Sequence, residues 1–352
     1  MPDGFFNAAV SVSAGVVAAA GVAVCLRGAR RELDDRTAPM AGLVAAFIFA
    51  VQMLNFPVAA GTSGHLLGGA LAAILVGPYT AVLCVAVVLL VQAFFFADGG
   101  LTALGVNITL MGLVAVLVGW GLFRLITRSV RSRGAVVAAA FVAALLSVPA
   151  SALAFTLLFW AGGTAPIEIG TVAAAMGGVH LLIGVGEGLI TAVTVSTVLA
   201  VRPDLVYGAR ELVAPLVLRG AGGDVTVLPD APRSSAPVAA RRPGWFLPAG
   251  IAVAVLLAGV VSFYASSSPD GLERVAEDKG FIGQAADHSL GEQPLADYGD
   301  VGGIPVGVAG LIGVGVTLAV GGGVFYAVRR RGDSADCGGG AGRDDSGKKV
   351  SA

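Results

Sequence analysis

Long apolar runs recur along the whole chain, and their length constrains the fold more than any other feature. A helix needs about 20 predominantly apolar residues to cross the hydrocarbon core of a bilayer. Charged residues make up 13% of the chain and hydrophobic residues 56%, whereas a soluble domain carries about 25% charged residues. We therefore predict an all-α polytopic membrane protein. The candidate spans lie at about 8–26, 40–57, 79–97, 102–125, 135–161, 171–200, 245–264 and 303–327.

A shorter apolar run extends from His65 to Val76 and ends at Gly77-Pro78. It is too short to span alone, so it is either a tilted span supported by its neighbours or a re-entrant segment. We count it as a third crossing, because the basic clusters then all fall on the cytoplasmic side, as the positive-inside rule requires. This count predicts a multi-pass membrane protein with its N-terminus outside and its C-terminus in the cytoplasm. The segments predicted inside are 27–39, 77–78, 124–134, 201–244 and 328–352, and the Lys- and Arg-free loops predicted outside are 58–64, 98–100 and 162–168.

Composition divides the chain into four parts. Residues 1–202 form a predicted seven-span bundle, and residues 203–243 form a cytoplasmic linker whose composition cannot build a core. Residues 244–328 form two further spans that flank an acidic external loop. Residues 329–352 are rich in Gly, Asp, Ser and Lys, and we expect a disordered tail. The acidic loop either gathers divalent cations by electrostatics or is simply solvated, since it lacks a calcium-loop pattern.

Several function classes are excluded by what the sequence lacks. The formal net charge is −1, which provides no overall field for binding nucleic acid. No phosphate loop of the GxxxxGK[ST] type is present, so the chain does not itself hydrolyse ATP by that machinery. No Gly-x-Ser-x-Gly, His-Glu-x-x-His or Cys-x-x-Cys pattern indicates an enzyme. We therefore predict a non-enzymatic membrane protein with no permanently bound cofactor.

One histidine, His65, lies among small residues in the stretch Thr62-Ser63-Gly64-His65-Leu66-Leu67-Gly68-Gly69. Intramembrane polar groups are costly and often mark a site or a pathway. Imidazole nitrogen is also a preferred ligand for Ni, Co, Cu and Zn. The alternative is a structural histidine that hydrogen-bonds a neighbouring helix. As a ligand, His65 would meet the external solution first and would suit capture of a cation before translocation.

Four further polar residues are candidates for a second shell or an ion path. His180 and Glu187 are seven residues apart on the predicted seventh span and therefore share one face of a helix. Asn55 and Asn107 lie near the outer ends of their spans, where they could support a metal ligand. For all four, interhelical hydrogen bonding that fixes the packing is the alternative.

Several stretches together resemble the CbiM/NikM family, the substrate-capture components of energy-coupling factor (ECF) transporters for cobalt and nickel. In the first half these are residues 40–57, residues 61–69, residues 98–105 with Asn107, and residues 180–187. Near the C-terminus, Ser268-Pro269-Asp270-Gly271-Leu272-Glu273 and the residues to Phe281 resemble the PDGLE domain, which is related in role to the two-span CbiN/NikN accessory protein. The chain is thus similar to a fused M–N component.

The resemblance implies a metal site made of nitrogens. Its ligands would be the N-terminal amine, here that of Met1, the amide and imidazole of a second-position histidine, and the imidazole matching His65. Four nitrogens in a plane suit Ni(II) or Co(II). This chain instead begins Met1-Pro2-Asp3-Gly4, and proline has no backbone N–H to supply an amide ligand. One hypothesis places the true start two codons upstream, which would restore Met-His; reading those codons tests it.

The resemblance also implies a function. We expect the substrate-binding permease component of an ECF-type ABC transporter in a bacterial plasma membrane. It would import Co(II) for cobalamin biosynthesis, with Ni(II) as the alternative substrate. Its expected partners are a CbiQ/NikQ-like coupling membrane protein, CbiO/NikO-like ATPase subunits and the lipid bilayer, with no nucleic acid. A second alternative is a membrane scaffold whose metal site has degenerated. His65→Ala should abolish uptake in the first two cases and have little effect in the third.

Overall fold

The computed structural model describes residues 1–35, 37–59, 61–130, 132–212, 217–219, 225–227 and 245–337. Within these ranges, seven helices are long and apolar enough to cross a membrane. The prediction of an all-α polytopic membrane protein is confirmed. The long helices are α1 (Ala8–Ala29), α4 (Pro78–Phe95), α5 (Leu104–Ser129), α6 (Arg133–Gly162), α7 (Ile169–Val201), α8 (Phe246–Gly259, extended by a 3₁₀ turn to Tyr264) and α10 (Val306–Cys337).

Shorter elements complete the described fold. Among the helices, α2 (Thr37–Gln52) and α3 (Gly69–Val76) are apolar, and α9 (Gly271–Lys279) is amphipathic. The strands form two antiparallel hairpins, β1 (Phe56–Ala59) with β2 (Thr62–Gly64) and β3 (Val217–Arg219) with β4 (Val225–Val227). The 3₁₀ segments are Pro203–Leu205, Tyr207–Leu212, Val261–Tyr264, Ile282–Gln284 and Ala296–Gly299.

The helix formed by the second apolar run ends before the C-terminal end of the span predicted at 40–57. Helix α2 stops at Gln52, and the chain then enters strand β1 at Phe56. Pro57 explains the change, because proline cannot donate a helical hydrogen bond and pushes the preceding residue into an extended conformation. The run therefore supplies both a short helix and the first strand of the hairpin that precedes His65.

The short run from His65 is helical only from Gly69 to Val76, eight residues that cover about 12 Å. Helix α2 begins and α3 ends beside Glu32, whose backbone carbonyl accepts from Thr37 Oγ1 at 3.0 Å and whose carboxylate accepts from Thr80 N at 2.7 Å. The chain thus returns through α3 to the end of the bundle at which α2 started. We call this the lower end, and the end carrying the N-terminus and the β1–β2 hairpin the upper end. The orientation of the two ends in a membrane stays a prediction.

Helices α2 and α3 form the centre of the bundle, and nearly all their side chains are buried. Helices α8 and α10 of the C-terminal part pack directly on α2. Gly313 of α10 lies against the Phe49 ring, and Gly310 lies against Met53. Small residues allow this close approach of helices, as is usual in membrane bundles. The outer helices expose large apolar side chains, among them Val12, Leu157, Trp160 and Val193, which suits contact with lipid.

The predicted linker and tail lie largely outside the described residues. Of the linker predicted at 203–243, the structure describes 203–212, 217–219 and 225–227. Of the tail predicted at 329–352, it describes the residues to Cys337, and these continue helix α10. The remaining linker and tail residues are outside the described part of the chain, so both predictions stay untested.

Candidate metal centre

A cavity of about 90 Å³ lies at the upper end of the bundle. Four chain segments that are far apart in sequence meet there: the N-terminus, the turn after β2, helix α7, and the loop before α9. They bring Met1, His65, His180 and Asp270 to its wall, together with Asn107 from α5. The volume is about that of a few water molecules, which suits a single ion with part of its hydration shell.

The turn that carries His65 is held from below by a buried carboxylate. Glu187 on α7 is fully buried and accepts hydrogen bonds from Leu67 N at 2.7 Å and Gly68 N at 3.1 Å. Gly68 has φ of +80°, a left-handed conformation that a side chain would strain, and it caps the start of α3. Gln52 Nε2 donates to the Leu67 carbonyl at 3.1 Å. These contacts fix the backbone directly after His65 and leave the imidazole half-buried at the cavity.

His180 projects from α7 toward the same cavity. Its Nδ1 lies 2.8 Å from the Met176 carbonyl, one turn earlier on the helix. A carbonyl can only accept, so Nδ1 carries the hydrogen and the neutral ring keeps a lone pair on Nε2. Metal-binding histidines commonly use one ring nitrogen in this way to orient the other. The geometry therefore prepares Nε2 of His180 as a nitrogen donor.

The N-terminal segment is anchored so that Met1 lies at the cavity. Asp3 caps the turn before α5, accepting from Leu101 N at 3.1 Å and Ala103 N at 2.9 Å. The Met1 carbonyl accepts from Gly100 N at 2.9 Å and from Asn107 Nδ2 at 3.3 Å. Asn107 therefore contacts the first residue, and its role in supporting a metal ligand stays a prediction.

Asp270 reaches the cavity from the C-terminal part of the chain. It caps α9 in a reciprocal capping box, with Oδ1 accepting from Glu273 N at 2.8 Å. Its Oδ2 lies 3.9 Å from His65 Nε2. The next residue must be small, because a Cβ on Gly271 would lie 2.5 Å from Ile183 Cδ1 and 3.1 Å from His180 Cε1.

The electrostatic surroundings of Asp270 favour its ionised form. Burial raises the pKa of this carboxyl, but His65, the Glu273 N–H, the N-terminal amine and His180 together lower the pKa by more. The net shift is downward from the ordinary value, so Asp270 carries its negative charge at neutral pH. Met1, His65 and His180 line the same cavity as this carboxylate.

The candidate residues predicted from the sequence fall into three groups. Met1, His65, Asn107 and His180 line the cavity. Glu187 does not, and instead holds the turn behind His65. Asn55 lies in the wall of a larger neighbouring cavity, and its carbonyl accepts from Ser266 N at 2.7 Å. No three His, Cys, Asp or Glu side chains within the described ranges are already grouped closely enough to hold a metal, so a complete ligand set needs a further donor such as the amine.

Asp270 was missed as a site residue by the sequence reasoning. It is separated from His65 by more than 200 residues, and no periodicity in the sequence links the two. One signal was present: the triplet Pro-Asp-Gly occurs both at Pro2–Gly4 and at Pro269–Gly271. In both copies the aspartate caps a turn or helix beside the cavity.

A larger cavity of about 790 Å³ adjoins the small one and shares Met1, His65, Asn107 and Asp270 with it. Its wall includes five further acids, Asp3, Asp98, Glu273, Asp287 and Asp297. A chamber lined by carboxylates raises the local concentration of cations. It therefore forms a vestibule through which a cation can approach the His65 site.

The C-terminal part of the chain contacts each segment that builds the site. Ser63 N donates to the Pro269 carbonyl at 2.8 Å, and Ser63 Oγ donates to the Ser268 carbonyl at 2.7 Å. Ala286 N donates to the Asp3 carbonyl at 2.9 Å. The loop before α9 therefore bonds to the His65 hairpin, and the loop after α9 bonds to the N-terminal segment.

A third contact joins the C-terminal loop to the end of α4. Tyr298 OH donates to Asp98 Oδ2 at 2.5 Å and accepts from Gln92 Nε2 at 3.1 Å, while its ring stacks on Phe96. Tyr298 and its neighbour Asp297 both have left-handed backbone angles, with φ of 52° and 48°. Such angles are strained for residues with side chains, so the contacts to α4 offset the strain.

Two parts of the chain match known protein families. Residues 1–205 match the model of a family described as "Cobalt uptake substrate-specific transmembrane region", and residues 244–330 match the PDGLE domain. A provisionally named metal transport protein of Haloquadratum walsbyi is 42% identical over 207 residues, which cover 59% of this chain and 93% of the relative. The "Fused nickel transport protein NikMN" of Rhodobacter capsulatus is 35% identical over 232 residues, covering 61% of this chain and 66% of the relative.

Two further comparisons concern a cobalt protein and a solved structure. The "Cobalt transport protein CbiM" of Sorangium cellulosum is 37% identical over 189 residues, covering 52% of this chain and 83% of the relative. A crystal structure of a truncated transition metal transporter superposes with a TM-score of 0.52 at 27% identity, covering 57% of this chain and 98% of that one. These proteins are transporters of metals rather than enzymes.

Proposed function

Because this chain belongs to the CbiM family of metal-uptake membrane proteins and carries a PDGLE domain after it, we propose that it captures a divalent transition-metal ion at the cavity lined by Met1 and His65. The ion is the transported substrate, not a resident cofactor. We propose Co(II) as the substrate, with Ni(II) as the alternative. The chain acts as a transport component and not as an enzyme.

The observation that carries this proposal is the convergence of nitrogen donors on one cavity. His65 and His180 both line it, and Met1 places the N-terminal amine there when Met1 is the first residue. Imidazole and amine nitrogens suit Co, Ni, Cu and Zn, whereas Mg²⁺ and Ca²⁺ require mostly oxygen ligands. The donor set therefore supports capture of a transition metal in preference to the more abundant hard cations.

Cobalt is proposed before nickel because the family that matches residues 1–205 is described by cobalt uptake. Nickel remains the alternative because a fused relative, with both domains in one chain, is named a nickel transport protein.

The energy for import would come from partners. We propose a CbiQ/NikQ-like coupling protein in the membrane and CbiO/NikO-like ATPase subunits in the cytoplasm, since the sequence carries no phosphate loop. The upper end of the bundle would then face outward and receive the ion, and the lower end at Glu32 would face the partners. Such an orientation agrees with the distribution of Lys and Arg in the loops.

A metal-free scaffold is the second candidate, favoured by the absence of three grouped ligand side chains within the described ranges. Accumulation of radioactive cobalt and nickel by cells that express the chain with its coupling and ATPase partners separates the two. We expect uptake of cobalt that His65→Ala abolishes. Equal metal accumulation by wild type and His65→Ala would instead favour the scaffold.

A further inference from the structure

We propose that Asp270, supplied by the PDGLE domain, is a direct ligand of the captured ion, so that the metal site is shared between the two domains of the chain. This inference rests on the proposed function, namely that the ion binds at His65. It adds an oxygen donor to a site otherwise made of nitrogens. It also gives the C-terminal domain a chemical role in capture.

The position of the Asp270 carboxylate suits a ligand and not a hydrogen-bond partner of His65. The distance from Oδ2 to His65 Nε2 is 3.9 Å, too long for a direct hydrogen bond. Two atoms that each bind one ion at about 2.0–2.2 Å lie roughly 3–4 Å apart. An ion between Oδ2 and Nε2 therefore needs little movement of either side chain.

The second carboxylate oxygen is already engaged, and this orients the first. Oδ1 caps α9 by accepting from Glu273 N at 2.8 Å, whereas Oδ2 has no hydrogen bond among the described residues. The preceding backbone is tied to the His65 hairpin through Ser63, which donates to the carbonyls of Pro269 and Ser268. Asp270 is therefore held beside His65 before any ion arrives, and a preorganised ligand costs less entropy to bind.

Charge balance gives a second, independent argument. Of the described residues that line the small cavity, Asp270 alone is anionic; the others that ionise are His65, His180 and the N-terminal amine. A divalent cation that entered a site of neutral and cationic donors only would be poorly stabilised in a partly desolvated cavity. The Asp270 carboxylate supplies the compensating negative charge.

Metal titration of the purified full-length chain with CoCl₂ tests the proposal. Asp270→Asn keeps an oxygen that can cap α9 but removes the negative charge and the strong ligand. We expect Co(II) affinity to fall at least tenfold, on the order of losses seen when metal-site partners are removed. Glu277→Gln is the matched control, since it removes one negative charge from the same helix at an exposed residue that lines neither cavity, and it should bind as wild type. The unfolding temperature of each variant shows that it is folded.

A spectroscopic variant separates direct ligation from a purely electrostatic effect. Asp270→Cys places a thiol at the same point, and a thiolate bound to Co(II) gives a near-ultraviolet charge-transfer band. We expect this band with Asp270→Cys and not with wild type or Glu277→Cys. If Asp270→Asn binds Co(II) more weakly but Asp270→Cys shows no thiolate band, direct ligation is overturned. Wild-type affinity in Asp270→Asn would overturn it as well. If His65→Ala binds Co(II) as tightly as wild type, the proposed function itself fails, an outcome distinct from failure at Asp270 alone.

Discussion

Glu187 accepts the Leu67 backbone N–H at 2.7 Å, across 120 residues of sequence. This hydrogen bond, and a second from Gly68, join helix α7 to the turn that presents His65. The carboxylate does not touch the cavity, yet the placement of His65 depends on it. We propose that Glu187 positions this turn for metal binding; from the sequence, a second shell, an ion path and interhelical hydrogen bonding were all left open for this residue.

Replacing Glu187 by Gln should loosen this turn. The Gln side chain keeps one carbonyl oxygen, so one of the two backbone N–H groups loses its acceptor, and an unsatisfied buried donor costs about 1–3 kcal/mol. We expect a lower unfolding temperature and weaker Co(II) binding that is not abolished. Thr191→Val, one turn further along α7, removes a buried hydroxyl that has no hydrogen-bond partner among the described residues and should leave both properties unchanged or slightly improved. Unchanged Co(II) binding in Glu187→Gln would remove its positioning role.

Adding a methyl group to Gly271 should displace the loop that carries Asp270. The new Cβ would come within 2.5 Å of Ile183 Cδ1 and 3.1 Å of His180 Cε1, so the Ile183 side chain, the loop or α7 must shift. We expect Gly271→Ala to weaken Co(II) binding severalfold. Gly283→Ala is the control, because nothing lies within 4 Å of its added Cβ. Calorimetric titration of both variants measures the difference, and equal affinities would show that the site tolerates the shift.

Tyr298 should make the docking of the C-terminal loop sensitive to alkaline pH. Burial first, and then the charge and hydrogen bond of Asp98, raise the pKa of Tyr298 well above its usual value. A raised folded-state pKa contributes stability that is complete below the unfolded value of about 10 and is lost as pH rises through the folded value. The unfolding temperature of the wild type should therefore begin to fall above about pH 10.

The variant Tyr298→Phe tests the source of that pH dependence. It removes the hydroxyl, so it should cost about 1 kcal/mol at pH 8 through the lost hydrogen bonds and should show a flatter profile above pH 10. Thermal unfolding of the wild type and of Tyr298→Phe, each followed at pH 8 and above pH 10, gives the comparison. Parallel profiles for the two proteins would mean that another group causes the alkaline loss.

The membrane helices were predictable because their signal is local. The apolar runs at 79–97, 135–161 and 171–200 became α4, α6 and α7 with ends shifted by a few residues. The exceptions were the runs interrupted by turn-forming residues. Pro57 ended α2 early, and Gly68 delayed the start of α3, so the segment around His65 is a hairpin and a turn. At these positions the conformational preferences of proline and glycine determine where a helix ends or begins, although the surrounding run is apolar.

The candidate site could be predicted from the sequence only for residues whose type is unusual in their local surroundings. His65, His180 and Asn107 stood out as polar residues in apolar surroundings, and all three line the cavity. Asp270 lies in a loop with many other acidic residues, and nothing in the local sequence distinguishes it from them. Its importance arises from tertiary contacts of the loop with Ser63 and α7, and no local pattern encodes contacts across 200 residues.

The most direct test of the account is titration of Co(II) and Ni(II) into the purified full-length protein and its His65→Ala variant. The account predicts one ion bound per wild-type chain and no measurable binding to His65→Ala, while both proteins unfold at similar temperatures. His288→Ala, which removes a histidine from the vestibule wall, should bind one ion as the wild type does. Retention of wild-type affinity by His65→Ala would contradict the account.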